Sequence, residues 1–202
     1  MKLYYTPGAC SLASHIVASE MGLPVKLERV DLATKVTASG ENYMKVTEKG
    51  YVPALMLDDG TVLTEGTAIM QYLADREPGK GLAPANGSIA RYEVQALLGF
   101  INSELHKSYS PLFNPATSAE VRAERLAYLA KRYAYVDKLL AGREYLTGTH
   151  FTIADAYLFT VTSWASHVKL DLSALANLAA FQQRVAARPA VVTAMRAEGL
   201  LS

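Results

Sequence analysis

The spacing of apolar and polar positions changes along the chain and predicts two kinds of structure. In the first part, strands are predicted at "KLYY", at "VKLERVDL", which alternates with a period near two, and at "PALML" and "TVLT", with Asp59-Gly60 as a hairpin turn. Ser11 to Met21 and the segment "EGTAIMQYLADR", from Glu65, have the apolar spacing of helices. A polar stretch at 34–47 leaves room for one short helix. This order of elements predicts an α/β domain.

The second part of the chain predicts helices alone. The long helical segments are 89–109, 119–140, 153–169 and 175–188, with a short tail helix near Val191. "TIAD" at 152–155 is a capping-box variant at the start of the third segment. The Pro- and Gly-rich stretch "EPGKGLAPANGS" separates the two parts and indicates a linker. We therefore predict an α/β domain at 1–78, a linker at 79–88 and an all-helical domain at 89–202.

Composition excludes several classes of function. The 202 residues carry a net charge of +1 without a basic block, which argues against nucleic acid or an anionic membrane as the main partner. The chain has no run near the roughly 18 uninterrupted apolar residues of a membrane span. Its start, "MKLYYTPG", lacks the apolar run of a signal peptide. A single cysteine forbids an internal disulfide and fits a reducing compartment, so we expect a cytoplasmic protein.

That cysteine, Cys10, lies in "YTPGACSLASH", directly before the helix predicted from Ser11. Helix N-termini have unpaired N–H groups and a partial positive charge, so a thiolate there is stabilised and its pKa is expected to fall. The alternative is a small buried residue, as free cysteines often are. The local sequence leaves both interpretations open.

Two short motifs contain groups that can hold a peptide. In "GYVPAL", a cis Val52-Pro53 bond would turn the Val52 backbone towards a ligand, whereas a trans proline in an edge strand is the simpler alternative. In "LTEGTAI", N–H groups after Glu65 can hold a carboxylate and its side chain can accept an ammonium. Such a pair suits the head of an α-amino acid. The alternative is an acidic residue that only complements the helix dipole.

A third motif, "GFINSELHKSY", places Gly99, Ser103 and His106 on one helical face. A histidine there can donate a hydrogen bond to a thiolate, and Lys107 can attract a carboxylate. A histidine near a helix end is otherwise a surface or capping residue. Lys35 lies in the polar stretch at 34–47 and, taken alone, is interpreted only as a surface lysine. The other histidines lack metal-ligand spacing, so we expect no metal site.

The ordered set of motifs resembles the cytosolic glutathione S-transferases of the bacterial beta class. The matching stretches, which span the chain, are "LYYTPGACSL", "GYVPAL", "LTEGTAIMQYLAD", "SELHKSYSPLF" and "FTIADAYLF". The resemblance implies a thioredoxin-like N-terminal domain that binds glutathione and an all-helical domain that forms most of the electrophile pocket. It also implies a homodimer, with glutathione as co-substrate and no permanently bound cofactor.

The resemblance also assigns residues to the site. It places Cys10 beside the glutathione sulfur and Val52 against the cysteinyl unit, ahead of a cis Pro53. Asp155 matches a capping-box residue and is assigned to folding. The remaining glutathione-binding candidates are Lys35, Glu65, Gly66, Ser103, Glu104, Leu105, His106 and Lys107. The catalytic candidates are Cys10, Ser11 and His106, and Tyr5 is a further hydroxyl for activating glutathione.

Two departures from the family pattern bear on affinity. Many relatives outside this class carry a serine where Gly66 stands, and close relatives often carry an asparagine where Gly99 stands. At Gly66 one hydroxyl contact to the head group is absent, and at Gly99 a polar contact is lost or replaced by water. The thiol, the proline and the acidic residue are all retained.

Three functions fit these residues. The first is detoxifying conjugation of reduced glutathione to small hydrophobic electrophiles. The second is redox chemistry, either thiol–disulfide exchange or reductive dehalogenation through a mixed disulfide of Cys10 and glutathione. The third is non-catalytic carriage of apolar ligands. We favour conjugation and keep the other two as alternatives.

Overall fold

The computed structural model describes residues 1–201, which form two compact units. The first unit contains Met1–Ala83 together with the segment from Ala187, and the second unit contains residues 84–186. The end of the chain therefore packs with its beginning. The domain boundaries given above stay a prediction.

The described residues of the first unit contain a five-stranded mixed sheet. Its order is β3-β2-β1-β4-β5, in which β1 and β2 run parallel and the other neighbours run antiparallel. The strands are β1 (Lys2–Tyr5), β2 (Lys26–Asp31), β3 (Val36–Thr37), β4 (Ala54–Met56) and β5 (Val62–Thr64). This is the thioredoxin-like sheet that the sequence predicts, with a helix in the crossover from β1 to β2.

The helices follow the predicted positions closely. They are α1 (Ser11–Met21), α2 (Gly66–Asp75), α3 (Ile89–Phe100), α4 (Lys107–Phe113), α5 (Ala119–Leu139), α6 (Ile153–Thr162), α7 (Ala176–Ala186) and α8 (Pro189–Ala197). Helix α1 ends at Gly22, whose left-handed backbone (φ 64°) lets its N–H bond back to the last turn. Helices α2 and α8 both pack against α1.

Two predicted helices differ in detail. The segment predicted as a helix at 89–109 extends to Phe113, and its middle, Ile101–His106, is π-helical. The helix predicted over 153–169 ends at Thr162 and continues only as a short 3₁₀ turn, Ser163–Ala165. The Ser163 and Ser166 hydroxyls donate to backbone carbonyls three residues earlier, which competes with regular helix in this region.

The predicted capping box is confirmed at the start of α6. The carboxylate of Asp155 accepts from the backbone N–H groups of Leu146 and Thr152, each at 2.8 Å, and from the Thr152 hydroxyl at 2.9 Å. The whole of α6 is buried in the second unit. None of the helices in the described part of the chain has the length and apolarity that crossing a bilayer requires.

Candidate functional site

Cys10 lies at the N-terminus of α1, on a turn held by Ser11. The Ser11 hydroxyl accepts from the Thr6 N–H and donates to the Thr6 carbonyl, both at 3.2 Å, and Ser11 is fully buried. Its hydroxyl is therefore committed to the turn and shielded from solvent. This placement gives Ser11 a structural role in the turn, and its catalytic role stays a prediction.

The thiol of Cys10 donates a hydrogen bond to the backbone carbonyl of Val52, at 3.2 Å. Burial of the sulfur raises the pKa of Cys10 to about 11, and it outweighs the lowering by the N–H groups of Cys10 and Ser11. The negative charge of Glu65 raises this pKa further. The prediction of a lowered pKa is therefore wrong, because packing around the sulfur opposes the helix N-terminus. Cys10 as a residue has an intermediate solvent exposure, and its thiol is neutral at pH 7.

The raised pKa predicts how alkylation of Cys10 depends on pH. Because only the thiolate reacts, the rate with iodoacetamide is expected to rise about tenfold per pH unit from pH 7 to pH 9 without levelling off. Intact mass against time measures this rate, since Cys10 is the only cysteine. Free glutathione, with an ordinary thiol pKa near 8.5, serves as the control and levels off towards pH 9. A plateau for the protein below pH 9 would contradict the raised pKa.

The Val52-Pro53 peptide bond is cis, which resolves the alternative left open by the sequence. The start of α2 packs against this proline, because a Cβ at Gly66 would lie 3.5 Å from Pro53 Cγ. Cys10, Val52, Pro53 and Gly66 thus form one contiguous group, named here the Cys10 cluster. The structure brings together groups that come from three separate motifs of the sequence.

Glu65 stands directly before α2 with an unusual backbone. Its φ is +68°, a conformation that costs a non-glycine residue free energy and is common at functional sites. The exposed carboxylate pairs with the ammonium of Lys49, Oε1 to Nζ at 2.6 Å, and Lys49 also donates to the Thr64 hydroxyl. The position beside α2 thus receives an ammonium from Lys49, and binding of an amino-acid head group there stays a prediction.

Lys35 lies next to the loop that leads to Val52. Its Nζ donates to the Gly50 carbonyl at 2.9 Å and lies 5.8 Å from the centre of the Tyr51 ring. The lysine side chain is therefore fixed beside the loop that leads to Val52 and is not an unattached surface side chain.

In the second unit, the π-helical segment carries the other predicted residues. Ile101 and Leu105 are buried, as the apolar spacing predicts. The Ser103 hydroxyl donates to the Gly99 carbonyl at 3.0 Å. Glu104 accepts from the Tyr128 hydroxyl and lies 3.7 Å from the Arg132 guanidinium, so α5 holds its carboxylate.

His106, like Glu104, is a partly buried member of this segment. Its Nδ1 lies 2.6 Å from the Tyr157 hydroxyl, and its ring packs edge-on against Trp164 at 4.9 Å between centroids. Burial lowers the pKa of His106 to about 4, and the charge of Lys107 contributes in the same direction. The imidazole is therefore neutral at pH 7 and able to donate from one ring nitrogen only. Lys107 itself is exposed.

Sequence reasoning missed Glu198, which anchors the loop before Cys10. Its side chain is fully buried, with Oε2 accepting from the Gly8 N–H at 2.9 Å and Oε1 lying 3.0 Å from His15 Nδ1. Gly8 has a left-handed φ of 69°, and a Cβ there would meet Leu200 at 3.4 Å. The segment after α8 thus fixes the backbone two residues before the thiol. No local pattern connects positions 190 residues apart.

Two family models of known proteins match this chain. A family model for the N-terminal domain of glutathione S-transferases matches residues 8–76, and one for the C-terminal domain matches residues 100–189. Glutathione S-transferase GstA of Escherichia coli O157:H7 is 52% identical over 200 residues, with 99% of this chain and 100% of that protein covered.

Two solved structures are similar over the full length of both chains. A sphingomonad glutathione S-transferase complexed with glutathione has 46% identity and a TM-score of 0.96, with 100% of each chain covered. The beta-class glutathione S-transferase of Sphingomonas chungbukensis has 43% identity, the same TM-score of 0.96 and the same 100% coverage. The predicted fold class and family resemblance are confirmed by these matches.

Proposed function

This chain belongs to the glutathione S-transferase family, in its bacterial beta class, and on that premise we propose that it conjugates reduced glutathione to small hydrophobic electrophiles with Cys10 beside the glutathione sulfur. The observation that carries the proposal is the Cys10 cluster. One thiol, a valine carbonyl ahead of a cis proline and the first turn of α2 lie in contact, with Glu65 directly adjoining. These groups match the parts of a γ-glutamyl-cysteinyl peptide.

Each part of the tripeptide has a partner in this proposal. The backbone of Val52 pairs with the cysteinyl unit, Glu65 takes the ammonium in place of Lys49, and the N–H groups from Gly66 take the γ-glutamyl carboxylate. Lys35 attracts the glycyl carboxylate. Ser103, Glu104, Leu105, His106 and Lys107 contribute from the second unit under the same proposal.

Cys10 acts here as a hydrogen-bond donor and not as the attacking group. Its raised pKa keeps the thiol protonated at pH 7, so it can donate to the glutathione thiolate. The glutathione S–H proton leaves to solvent, the thiolate attacks an electrophilic carbon, and a C–S bond forms as halide departs. Lowering the pKa of glutathione by one unit corresponds to about 1.4 kcal/mol of preferential stabilisation of its thiolate.

Conjugation to an aromatic halide tests this function directly. We expect the wild type to conjugate glutathione and Cys10→Ala to retain glutathione binding while its kcat falls about tenfold, the scale of one lost hydrogen bond to a charged group. Calorimetric titration with glutathione and the conjugation rate are measured on the same samples. Absence of both binding and conjugation in the wild type would overturn the proposal, and full activity of the variant would remove Cys10 from it.

A second function is favoured because Cys10 is a free cysteine, outside any disulfide, and is partly exposed as a residue. In thiol–disulfide exchange, the Cys10 thiolate attacks oxidised glutathione, forms a mixed disulfide and releases one glutathione thiolate. Incubation with oxidised glutathione followed by intact mass reports whether one glutathionyl group is added. Because the raised pKa keeps the thiolate scarce, we expect slow addition at pH 7 and faster addition at pH 9.

The glycine at position 66 predicts a gain of affinity. A serine is accommodated there, since a Cβ would make only an ordinary contact with Pro53, and its hydroxyl would adjoin the proposed site of the γ-glutamyl carboxylate. Gly66→Ser is expected to lower the KM for glutathione about three- to tenfold, the range of one ordinary hydrogen bond. Gly66→Ala is the matched control, because it adds the Cβ without the hydroxyl. Equal KM values for the two variants would rule out the contact.

The homodimer implied by the family resemblance stays a prediction. Sedimentation velocity of the purified chain gives its mass in solution, and we expect twice the mass of one chain. A single-chain mass across the working range of concentrations would contradict this expectation.

A further inference from the structure

A short chain of polar groups ends at the ring of His106. The Tyr157 hydroxyl lies 2.6 Å from His106 Nδ1 and 3.0 Å from Oδ1 of Asn102. Tyr157 comes from the buried helix α6, whereas Asn102 is exposed and lies in the π-helical segment that also carries His106. The phenol thus connects the two ends of one π-helical turn.

The phenol has one proton and can donate to only one of these two groups. Hydroxyl donors make the shorter hydrogen bonds, whereas about 2.9–3.0 Å is typical of an N–H donor. With the amide oxygen of Asn102 facing the phenol, the phenol donates to Oδ1 at 3.0 Å. The contact to Nδ1, at 2.6 Å, is shorter and is the better place for the phenol proton. The amide of Asn102 can turn its NH₂ group to the same position as its oxygen, and it then donates to the phenol oxygen.

We propose that Tyr157 is a positioning residue for glutathione chemistry: its hydroxyl donates to Nδ1 of His106 and thereby holds the proton of the neutral ring on Nε2. An Nε2–H group is the form of the ring that can stabilise a thiolate, because the other tautomer would present a lone pair to a negative charge. The inference rests on the proposed function and adds to it that His106, one of its second-unit residues, donates to the glutathione sulfur.

The surroundings of the ring support this assignment. Trp164 packs on one side of His106, and Tyr157 contacts it from α6, so the ring is held from two elements. Burial and the charge of Lys107 both lower the pKa of His106, which keeps the ring neutral at pH 7 and makes the choice of tautomer meaningful. Tyr157 is buried, so water competes poorly for its proton.

The first test reads the tautomer of the free protein. Histidine labelled with ¹⁵N gives separate signals for protonated and bare ring nitrogens in a two-bond ¹H–¹⁵N spectrum. His106→Gln identifies the signals of this ring among the four histidines of the chain. We expect a protonated Nε2 and a bare Nδ1 in the wild type. A protonated Nδ1 with a bare Nε2 would overturn the inference without any variant of Tyr157.

The second test measures the consequence for glutathione. Tyr157→Phe is expected to raise the pKa of bound glutathione by about one unit, so conjugation at pH 6.5 falls about tenfold while the Kd for glutathione changes less than threefold. Tyr145→Phe is the matched control, because this buried tyrosine of the second unit packs against Phe151 instead. An unchanged pH profile in Tyr157→Phe would overturn the positioning role.

Asn102→Asp provides a variant at an exposed position, where folding is at little risk. A carboxylate only accepts, so it draws the phenol proton and forces Nδ1 of His106 to become the donor. We expect the protonated signal to move to Nδ1 and conjugation to slow. If the wild type shows the expected tautomer but neither binds nor conjugates glutathione, the proposed function fails and the hydrogen-bond assignment stands. If the wild type conjugates but Asn102→Asp leaves tautomer and rate unchanged, the inference fails alone.

Discussion

Replacement of Asp155 by alanine is expected to lower the free energy of unfolding by about 3–5 kcal/mol, because it leaves two buried backbone N–H groups without an acceptor. The carboxylate is fully buried and accepts from Leu146, from the Thr152 backbone and from the Thr152 hydroxyl. It therefore fixes both the start of α6 and the loop before it. Urea denaturation followed by far-ultraviolet circular dichroism measures the loss.

An exposed aspartate provides the matched control. Asp171 is exposed and accepts from the nearby Ser173 N–H, so Asp171→Asn is expected to change stability by less than about 1 kcal/mol. Asp155→Asn keeps the shape of the side chain but presents an NH₂ to one of the two N–H donors. We expect its stability to lie between those of Asp155→Ala and the wild type. A loss below 1 kcal/mol for Asp155→Ala would contradict the assignment of this residue to folding.

The pH dependence of this loss has a definite sign. Burial raises the pKa of Asp155 to about 6, above the value near 3.9 of an unfolded chain. The protonated carboxyl therefore adds stability at low pH, and that contribution is lost as the pH rises through 6. The difference in free energy of unfolding between the wild type and Asp155→Ala is expected to be about 1–2 kcal/mol larger at pH 4.5 than at pH 7.5. A gap that widens with rising pH would contradict the raised pKa.

Replacement of Glu198 by alanine is expected to cost about 3–5 kcal/mol of stability and to weaken glutathione binding at least tenfold. Its fully buried carboxylate contacts the Gly8 N–H and the His15 ring, and both lose their acceptor in the variant. The loop that sets the position of Cys10 then loses its support from the end of the chain. Urea denaturation and calorimetric titration with glutathione measure the two effects.

Two further variants separate support of the loop from a general effect of removing a carboxylate. Glu198→Gln keeps an oxygen for one donor and is expected to recover part of both losses. Glu93 lies exposed on α3, and Glu93→Ala is expected to change neither quantity beyond about 0.5 kcal/mol. Unchanged glutathione affinity in Glu198→Ala, with the protein folded, would show that the contact to Gly8 does not support the site.

Local patterns predict most of the first unit. The apolar run "KLYY", the helix Ser11–Met21 and the hairpin around Asp59-Gly60 all appear where the sequence places them, because period and turn residues fix them locally. The two-residue strand β3 was not predicted, since it is defined by its pairing with β2. The π-helical turns at Ile101–His106 were also missed, because apolar spacing barely separates them from an α-helix.

The sequence predicted which residues form the site better than it predicted their chemical properties. The motifs that carry Cys10, Val52 and Glu65 each allowed a purely structural interpretation. The functional interpretation is favoured only because the structure places these residues close together. The pKa of Cys10 was predicted in the wrong direction, because a helix N-terminus is visible in the sequence and burial against a residue 42 positions away is not. Glu198 gave no signal for the same reason, since its partners lie at the opposite end of the chain.

The most direct measurement is a crystal structure of the protein with reduced glutathione bound. We expect the ligand sulfur in contact with the Cys10 side chain, the cysteinyl backbone paired with Val52, and the ligand ammonium on Glu65 where Lys49 now lies. Glutathione bound elsewhere, with the Cys10 thiol still donating to Val52 and the Lys49–Glu65 pair intact, would contradict it.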